Sequence, residues 1–343
     1  MFNQYFKKDI NFTKSSTDNI IFEKAASPMF KDILYLWLNN NSICLKQSTI
    51  SKYEYIIRVH IGPELGQVKL CDLNSSCINQ YLLNKIQNGR IDNQGGLSAS
   101  YVNSIILIIN SALDFAAKES IYVFSKPTIY KPPLRKKSVA VLSIEHQHTL
   151  EKYLFENIGE TEIAVLIALY TGMRLGEICA LTWEDVDFNK QIIHIRSTVS
   201  RVNNPHLEPG SKTKYVISSP KTVASDRYIP LHSILVGVLN KKREPSFPYV
   251  TSNNETFTNP RTLEYRYSKL LKQAKIPYIN FHSLRHTFAT RCIESGIDMK
   301  TLSEILGHSS VSFTMDTYVH SSQEIKKRNI EKLRCINYKV GNF

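Results

Sequence analysis

Apolar residues recur at three- and four-residue intervals along most of the chain, the period of a helix with one buried face. Phe30, Ile33, Leu34, Trp37 and Leu38 share such a face, behind an opening Ser27-Pro28. Ser48 is placed to cap a second helix with Tyr53, Ile56 and Ile57 inward and Lys46, Lys52 and Arg58 outward; Gly62-Pro63 and Gly66 break it. Ser75 or Ser76 starts a third helix carrying Ile78, Tyr81, Leu82 and Leu83, and Ser98 begins a long fourth one through Ala117 after the Gly95-Gly96 loop. Four helices without strands predict a helical domain over residues 27–125. Residues 1–26 are polar and weakly patterned, which predicts a disordered lead-in.

Residues 126–140 break the pattern. Pro127, Pro132 and Pro133 oppose regular structure, and Lys126, Lys131, Arg135, Lys136 and Lys137 make the stretch a basic linker. A second domain is expected over residues 141–320. Ser143 caps its first helix, Thr161–Tyr170 is apolar enough to be buried on all sides, and Gly172 ends it; Gly176-Glu177 opens a short helix through Leu181. Gln191–Arg196 has strand composition. Tyr215–Ser219 and Arg227–Leu231 read as two more strands flanking a loop that holds Lys221. Val199–Lys214, with Pro205, Pro209 and Gly210, has no period that assigns it. From Asn259 the pattern is helical apart from a break at Ile276–Asn280. Leu284, Phe288 and Cys292 mark one buried stripe, Asp298–Leu306 is a helix stopped by Gly307, and Ser312 is placed to cap a short helix ending at Tyr318. The tail, residues 321–343, sets Ile325, Ile330, Leu333 and Ile336 against Lys326, Lys327 and Arg328, an amphipathic helix. The fold class is mainly α with a small antiparallel β-sheet.

Composition narrows the partner. A chain of 343 residues exceeds one ordinary small core, so two domains are the expectation. Lys+Arg 43 against Asp+Glu 30 leaves +13, with a pI near 9.3. That surplus points to a polyanion, with nucleic acid first. Apolar runs such as Ala164–Leu169 and Ile105–Ile109 are too short to span a bilayer. The 6 cysteines are scattered without a C-x-x-C pair, which argues against a disulfide framework or zinc and fits a reducing cytoplasm.

The chemistry concentrates near the C-terminal end. His282 and Arg285 lie one helical turn apart, His308 follows the next helix, and Tyr318 comes ten residues later. A cation, two imidazoles and a phenol suit a phosphate and include a nucleophile; they form no metal cage. His282 and His286 at i, i+4 have a zinc spacing but lack the intervening Glu and a third ligand, so His286 reads as structural. Bland alternatives remain open. Arg174 is placed to meet a helix end, Lys221 and Arg227 suit an ordinary hairpin with Lys212 and Lys214 nearby, and Tyr318 is one of 18 tyrosines.

His282-x-x-Arg285, Leu306-Gly307-His308 and Asp316-Thr317-Tyr318 together resemble the C-terminal box of the tyrosine recombinases, the phage integrase family. Thr171-Gly172-Met173-Arg174-Leu175-Gly176-Glu177 resembles the box that supplies the family's first arginine, and Pro220-Lys221-Thr222 with Ser225–Leu231 the hairpin that supplies its lysine. The resemblance covers roughly residues 27–330, and its motifs are specific as a set. It implies a helical core-binding domain and a mixed α/β catalytic domain. It implies that Arg174 and Arg285 clamp a phosphate, Lys221 protonates the departing 5′ oxygen, His282 and His308 hydrogen-bond the phosphate and move protons, Glu177 holds part of the cluster, and Tyr318 is the nucleophile. The expected product is a covalent 3′-phosphotyrosine, formed without cofactor, ATP or metal. Implied partners are double-stranded DNA with specific recombination sites, further copies of the chain as a homo-tetramer on that DNA, accessory DNA-bending or directionality proteins, and no membrane. The tail would dock on a neighbouring protomer or on its own domain. The element served is expected to be mobile. A chromosome-dimer-resolving recombinase, a catalytically silent DNA-binding regulator and a type IB topoisomerase are the alternatives.

Overall fold

The structure is a computed structural model. It describes residues 27–343 except 122–124, 135–138, 204–212, 220–222, 244–245, 253, 309, 319–329 and 331–343; the side chains of residues 203, 223, 313 and 316–318 are also outside the description. The expected lead-in, Lys221 and the amphipathic tail therefore lie outside the described residues. Contacts divide the chain into two units, residues 1–136 and 137–343.

The first unit holds the four expected helices, α1 (Phe30–Asn41), α2 (Gln47–Ile56), α3 (Ser75–Asn88) and α4 (Ala99–Lys118). Their starts follow local hydrogen bonds that the apolar period does not encode. Ser98 caps α4 as expected, accepting from the Tyr101 N–H. Asn74, one residue ahead of the expected serines, caps α3 by accepting from Cys77 N–H. Helix α2 begins without a side-chain cap after Lys46, and the Ser27 hydroxyl accepts from Cys71 N–H instead of capping α1. Phe30, Ile33, Leu34, Ile57, Ile78 and Ile105 close the core.

By length and composition alone, helix α4 would pass for one that crosses a membrane. Its apolar residues Val102, Ile105, Ile106, Ile108 and Ile109 are buried in the bundle. The residues after α4 are partly held to this unit. Thr128 N–H donates to Ser75 Oγ (2.9 Å), Tyr130 N–H to Asn79 Oδ1 (3.0 Å), and Asn79 Nδ2 to the Thr128 carbonyl (2.9 Å).

The second unit is built around α6 (Glu160–Thr171), whose residues Ile163 to Leu169 are all buried. Packed on it are α5 (Ile144–Glu156), α7 (Leu175–Ala180), α8 (Ser233–Lys242), α9 (Pro260–Gln273) and α10 (His282–Glu294). Strands β1 (Val186–Asp187), β2 (Ile192–Ile195) and β5 (Arg227–Pro230) form an antiparallel sheet in the order β1-β2-β5, with Ile193 opposite Ile229 and Ile195 opposite Arg227. Strands β3 (Thr198–Asn203) and β4 (Thr213–Ser218) form a separate antiparallel pair. The two strands expected to flank the Lys221 loop are thus in different sheets. Their partners are β3 and β2, and the segment that resisted assignment supplies β3. Val199 and Val202 are both buried there, an odd spacing that hides the two-residue period of a strand. Helices α11 (Met299–Leu306) and α12 (Val311–Tyr318) follow. Helix α12 starts one residue before the expected cap, Ser312.

Candidate active site

Two glycines fix the frame of the site. Gly172 ends α6 at φ +64° and Gly307 ends α11 at φ +65°, a conformation that an L side chain enters at a cost. Space forbids a side chain as well. A Cβ at Gly172 would lie 2.5 Å from Phe288, and one at Gly307 would lie 2.9 Å from the Ala224 carbonyl and from Arg227.

The carbonyls that helix α11 leaves unpaired at its end are taken up by arginines. Arg227 Nε donates to the Ile305 carbonyl (2.6 Å), Arg285 Nη2 to Leu306 (2.7 Å) and Arg174 Nη2 to Gly307 (3.1 Å). Three consecutive carbonyls at the negative end of a helix dipole thereby receive three cations from β5, α10 and the start of α7. Arg285 also donates through Nη1 to the Gly172 carbonyl at 2.8 Å, so one guanidinium closes the ends of both α6 and α11.

Glu177 neutralises part of this charge. Its carboxylate accepts from Arg227 Nη1 (3.2 Å) and Nη2 (3.0 Å), from Arg174 Nη1 (2.8 Å) and from the Arg174 N–H (2.9 Å). Arg285, Glu177 and Arg227 are 2%, 4% and 7% exposed. Burial alone would raise the Glu177 carboxyl; the hydrogen bonds and charge of Arg227, then Arg174, outweigh it and hold the group below the usual carboxylate range.

The imidazoles are kept neutral. Burial pushes His308 down to about 4, assisted by the charges of Arg285, Arg174 and Arg227. His286 is also lowered to about 4, first by burial, then by His282 and Arg285. His282 is more exposed; partial loss of water around its ring lowers it, then Arg285 and Arg174. The His282 and His286 rings meet edge to face at 4.7 Å. His308 Nε2 lies 2.8 Å from Arg285 Nη2, and its Nδ1 lies 2.7 Å from Thr314 Oγ1 on α12.

Of the six residues singled out by the sequence, Arg174, Arg285 and His308 fall in one bonded network, and His282 lies within its electrostatic reach. Tyr318 is the last residue of α12; its side chain and Lys221 are outside the described residues. Among the described residues, no group of three His, Cys, Asp or Glu is placed to hold a metal ion.

Sequence reasoning left Arg227 as an ordinary hairpin charge and passed over Thr314. Arg227 had a signal: it is in phase with Ile229 on the buried face of β5, while Tyr228 and Pro230 face out. An arginine at a core-facing strand position requires a buried partner, and Glu177, fifty residues upstream, is that partner.

Comparison with known proteins decides the family. The model of the phage integrase family matches residues 147–324, and the model described as phage integrase, N-terminal SAM-like domain, matches residues 29–87. The chain belongs to the phage integrase family. A tyrosine recombinase XerC-like protein of Caldanaerobacter subterraneus subsp. tengcongensis is 27% identical, over 88% of this chain and 82% of its own. The transposase from transposon Tn916 of Enterococcus faecalis is 25% identical, over 87% and 77%. Among solved structures, the Tn1549 transposon integrase in complex with a circular intermediate DNA superposes with a TM-score of 0.70 at 20% identity, covering 90% of this chain and all of that one. The likeness to that integrase is one of fold, and it embraces both units.

Proposed function

We propose that this integrase-family chain is a site-specific DNA recombinase that cuts and rejoins the strands of a mobile element through Tyr318. The observation that carries the reading is the convergence of Arg174, Arg285 and His308 at the end of α11, next to the helix that ends at Tyr318. Among the described residues, three arginines gather around the one carboxylate of Glu177, a basic setting that suits a phosphodiester.

In the proposed step the Tyr318 oxygen attacks phosphorus. A phosphorus–tyrosine oxygen bond forms as the bond to the 5′ oxygen breaks, giving a 3′-phosphotyrosine and a 5′ hydroxyl. Lys221 supplies the proton to the departing oxygen. A phenol with an ordinary pKa of about 10 must shed its proton to attack, and His282, neutral and exposed, is a suitable acceptor. Arg174 and Arg285 supply the positive field that offsets charge growing on the non-bridging oxygens. The phosphoester count is unchanged, so a 5′ hydroxyl of a second strand reverses the step without ATP. The acting form is a homo-tetramer on double-stranded DNA, in the cytoplasm where such DNA lies.

The test is a nicked duplex carrying an end of the element, incubated without metal with wild type and Tyr318→Phe. A protein–DNA adduct on a denaturing gel that vanishes in the variant supports the reading. An adduct that persists moves the nucleophile elsewhere, and binding without an adduct favours a regulator. The XerC-like relative keeps a second reading in view, resolution of chromosome dimers. Target sites at the chromosome terminus, and none at element ends, would select it.

A further inference from the structure

Arg227 is turned wholly inward. It is 7% exposed, and each of its guanidinium nitrogens donates to the protein. Nε meets the Ile305 carbonyl, Nη1 meets Glu177 Oε1 and the Ser225 carbonyl, and Nη2 meets Glu177 Oε2. The two bonds to Glu177 form a fork across both carboxylate oxygens, a geometry that sets the plane of the carboxylate as well as its place. Arg174 takes its direction from that plane. Its Nη1 donates to Oε1 (2.8 Å) and its backbone N–H to Oε2 (2.9 Å), while Nη2 reaches the Gly307 carbonyl (3.1 Å). The Arg174 side chain is 36% exposed, against 6% for Arg227. One carboxylate thus joins a buried arginine to one that solvent and substrate can reach.

We propose that Arg227 is a positioning residue: through Glu177 it aims the Arg174 guanidinium, and so sets the fit of that cation to the non-bridging oxygens of the scissile phosphate. The inference rests on the recombinase reading above. With the fork in place, the carboxylate cannot rotate about its last bond, and Arg174 is held between it and the Gly307 carbonyl. Without the fork, the carboxylate keeps its charge but loses its plane, and Arg174 turns with it. The stem of Arg227 lies where a Cβ at Gly307 would be 2.9 Å from its Cδ, so the same side chain also ties the carboxylate to the end of α11. A lysine at 227 keeps the charge and has no planar fork, which separates orientation from electrostatics.

The test measures initial cleavage of the nicked duplex by wild type and Arg227→Lys with three forms of the scissile phosphate. These are the natural diester, a methylphosphonate in which methyl replaces a non-bridging oxygen, and a 5′-phosphorothiolate in which sulfur replaces the departing oxygen. The methylphosphonate offers Arg174 no negative charge, and the thiolate leaves without a proton. Arg227→Lys should cleave the diester about 100-fold more slowly than wild type, the scale of an ångström-level misplacement. The deficit should be the same on the phosphorothiolate and shrink below about tenfold on the methylphosphonate, where the clamp has little charge to offset. DNA affinity should change little. Equal deficits on all three forms mark a general loss of structure and overturn the proposal. Relief on the phosphorothiolate instead moves the action of Arg227 to the leaving oxygen and overturns it too, as does full activity on the diester. Should the lysine variant not fold, Glu177→Asp, which withdraws the carboxylate from Arg174 and keeps its charge, must show the same pattern. Side-chain 15N signals of Arg174, assigned by their loss in Arg174→Lys, report the link without any reaction: guanidinium rotation is hindered in wild type and freed in Arg227→Lys. Absence of cleavage by wild type on every form defeats the recombinase reading alone, because Arg174 signals unchanged by Arg227→Lys would still overturn the link and freed ones support it.

Discussion

The two units bury charge in different ways. In the helical unit, Lys85 reaches Glu64 at 2.5 Å, with the lysine side chain 9% exposed and the glutamate 45%. One partner stays in water, so the Glu64 charge can relax into solvent. In the catalytic unit, Arg227 and Glu177 are 6% and 4% exposed as side chains, and the carboxylate is shared with Arg174. No member of that set can leave without stranding another. A rim pair contributes little to either stability or shape, whereas a closed network converts loss of one group into loss of geometry. Under the proposed function, the second arrangement suits a domain that must hold a reacting group in place.

The chain has one tryptophan in each unit, Trp37 and Trp183, both buried, so Trp37→Phe and Trp183→Phe backgrounds let fluorescence follow each unit separately. The largest effect is expected from Glu177→Gln. It should destabilise the catalytic unit by about 3 kcal/mol, the low end for a broken buried pair because Arg227 keeps the carbonyls of Ile305 and Ser225. Urea unfolding read at Trp183 checks this, and the Trp37 transition should not move. An unchanged Trp183 transition would erase the contrast.

Acid comes next. His286 and His308 have pKa values of about 4 in the fold and ordinary ones near 6.5 when unfolded, so the unfolded chain binds more protons between those limits. The stability they allow is complete above pH 6.5 and is lost as the pH falls toward 4. From pH 7 to 5 the catalytic unit should lose roughly 2 kcal/mol, after allowance for solvent around the rings. The helical unit has one such ring, His60, lowered by burial and then by Lys85, and should lose less. Thermal melts at the two pH values, read at each tryptophan, measure the difference.

The smallest effect belongs to Lys85→Met, expected to cost less than about 1 kcal/mol because the replacement keeps the apolar stem and Glu64 returns to water. A loss above 2 kcal/mol at Trp37 would place both pairs in one class.

Much of the frame was legible. The apolar stripes of α1 and α4, the all-apolar run of α6 and the stops at Gly172 and Gly307 follow from pattern and from a backbone that only glycine enters freely. Helix starts were legible to a residue or two, because Asn74 and Ser75 are both competent caps and only local bonding chooses. Strand β3 was not legible, since burying Val199 and Val202 breaks the alternation that identifies a strand. Of the candidate site, Arg174, Arg285 and His308 were legible as chemical types that the fold brings together. Its geometry was not: Arg227 resembles a hairpin charge until its fifty-residue separation from Glu177 is closed by the fold, and nothing local tells that three arginines share one helix end.

That shared end makes α11 a ruler. One residue inserted between Asp298 and Leu306 would turn the carbonyls at 305–307 by about 100° and advance them by about 1.5 Å, offering each arginine the wrong oxygen. Natural variants of this protein should therefore differ in length elsewhere, with the interval from Arg285 to His308 held constant even where the letters within it drift. A count of residues across that interval is consequently a sharper test for a working relative than percentage identity.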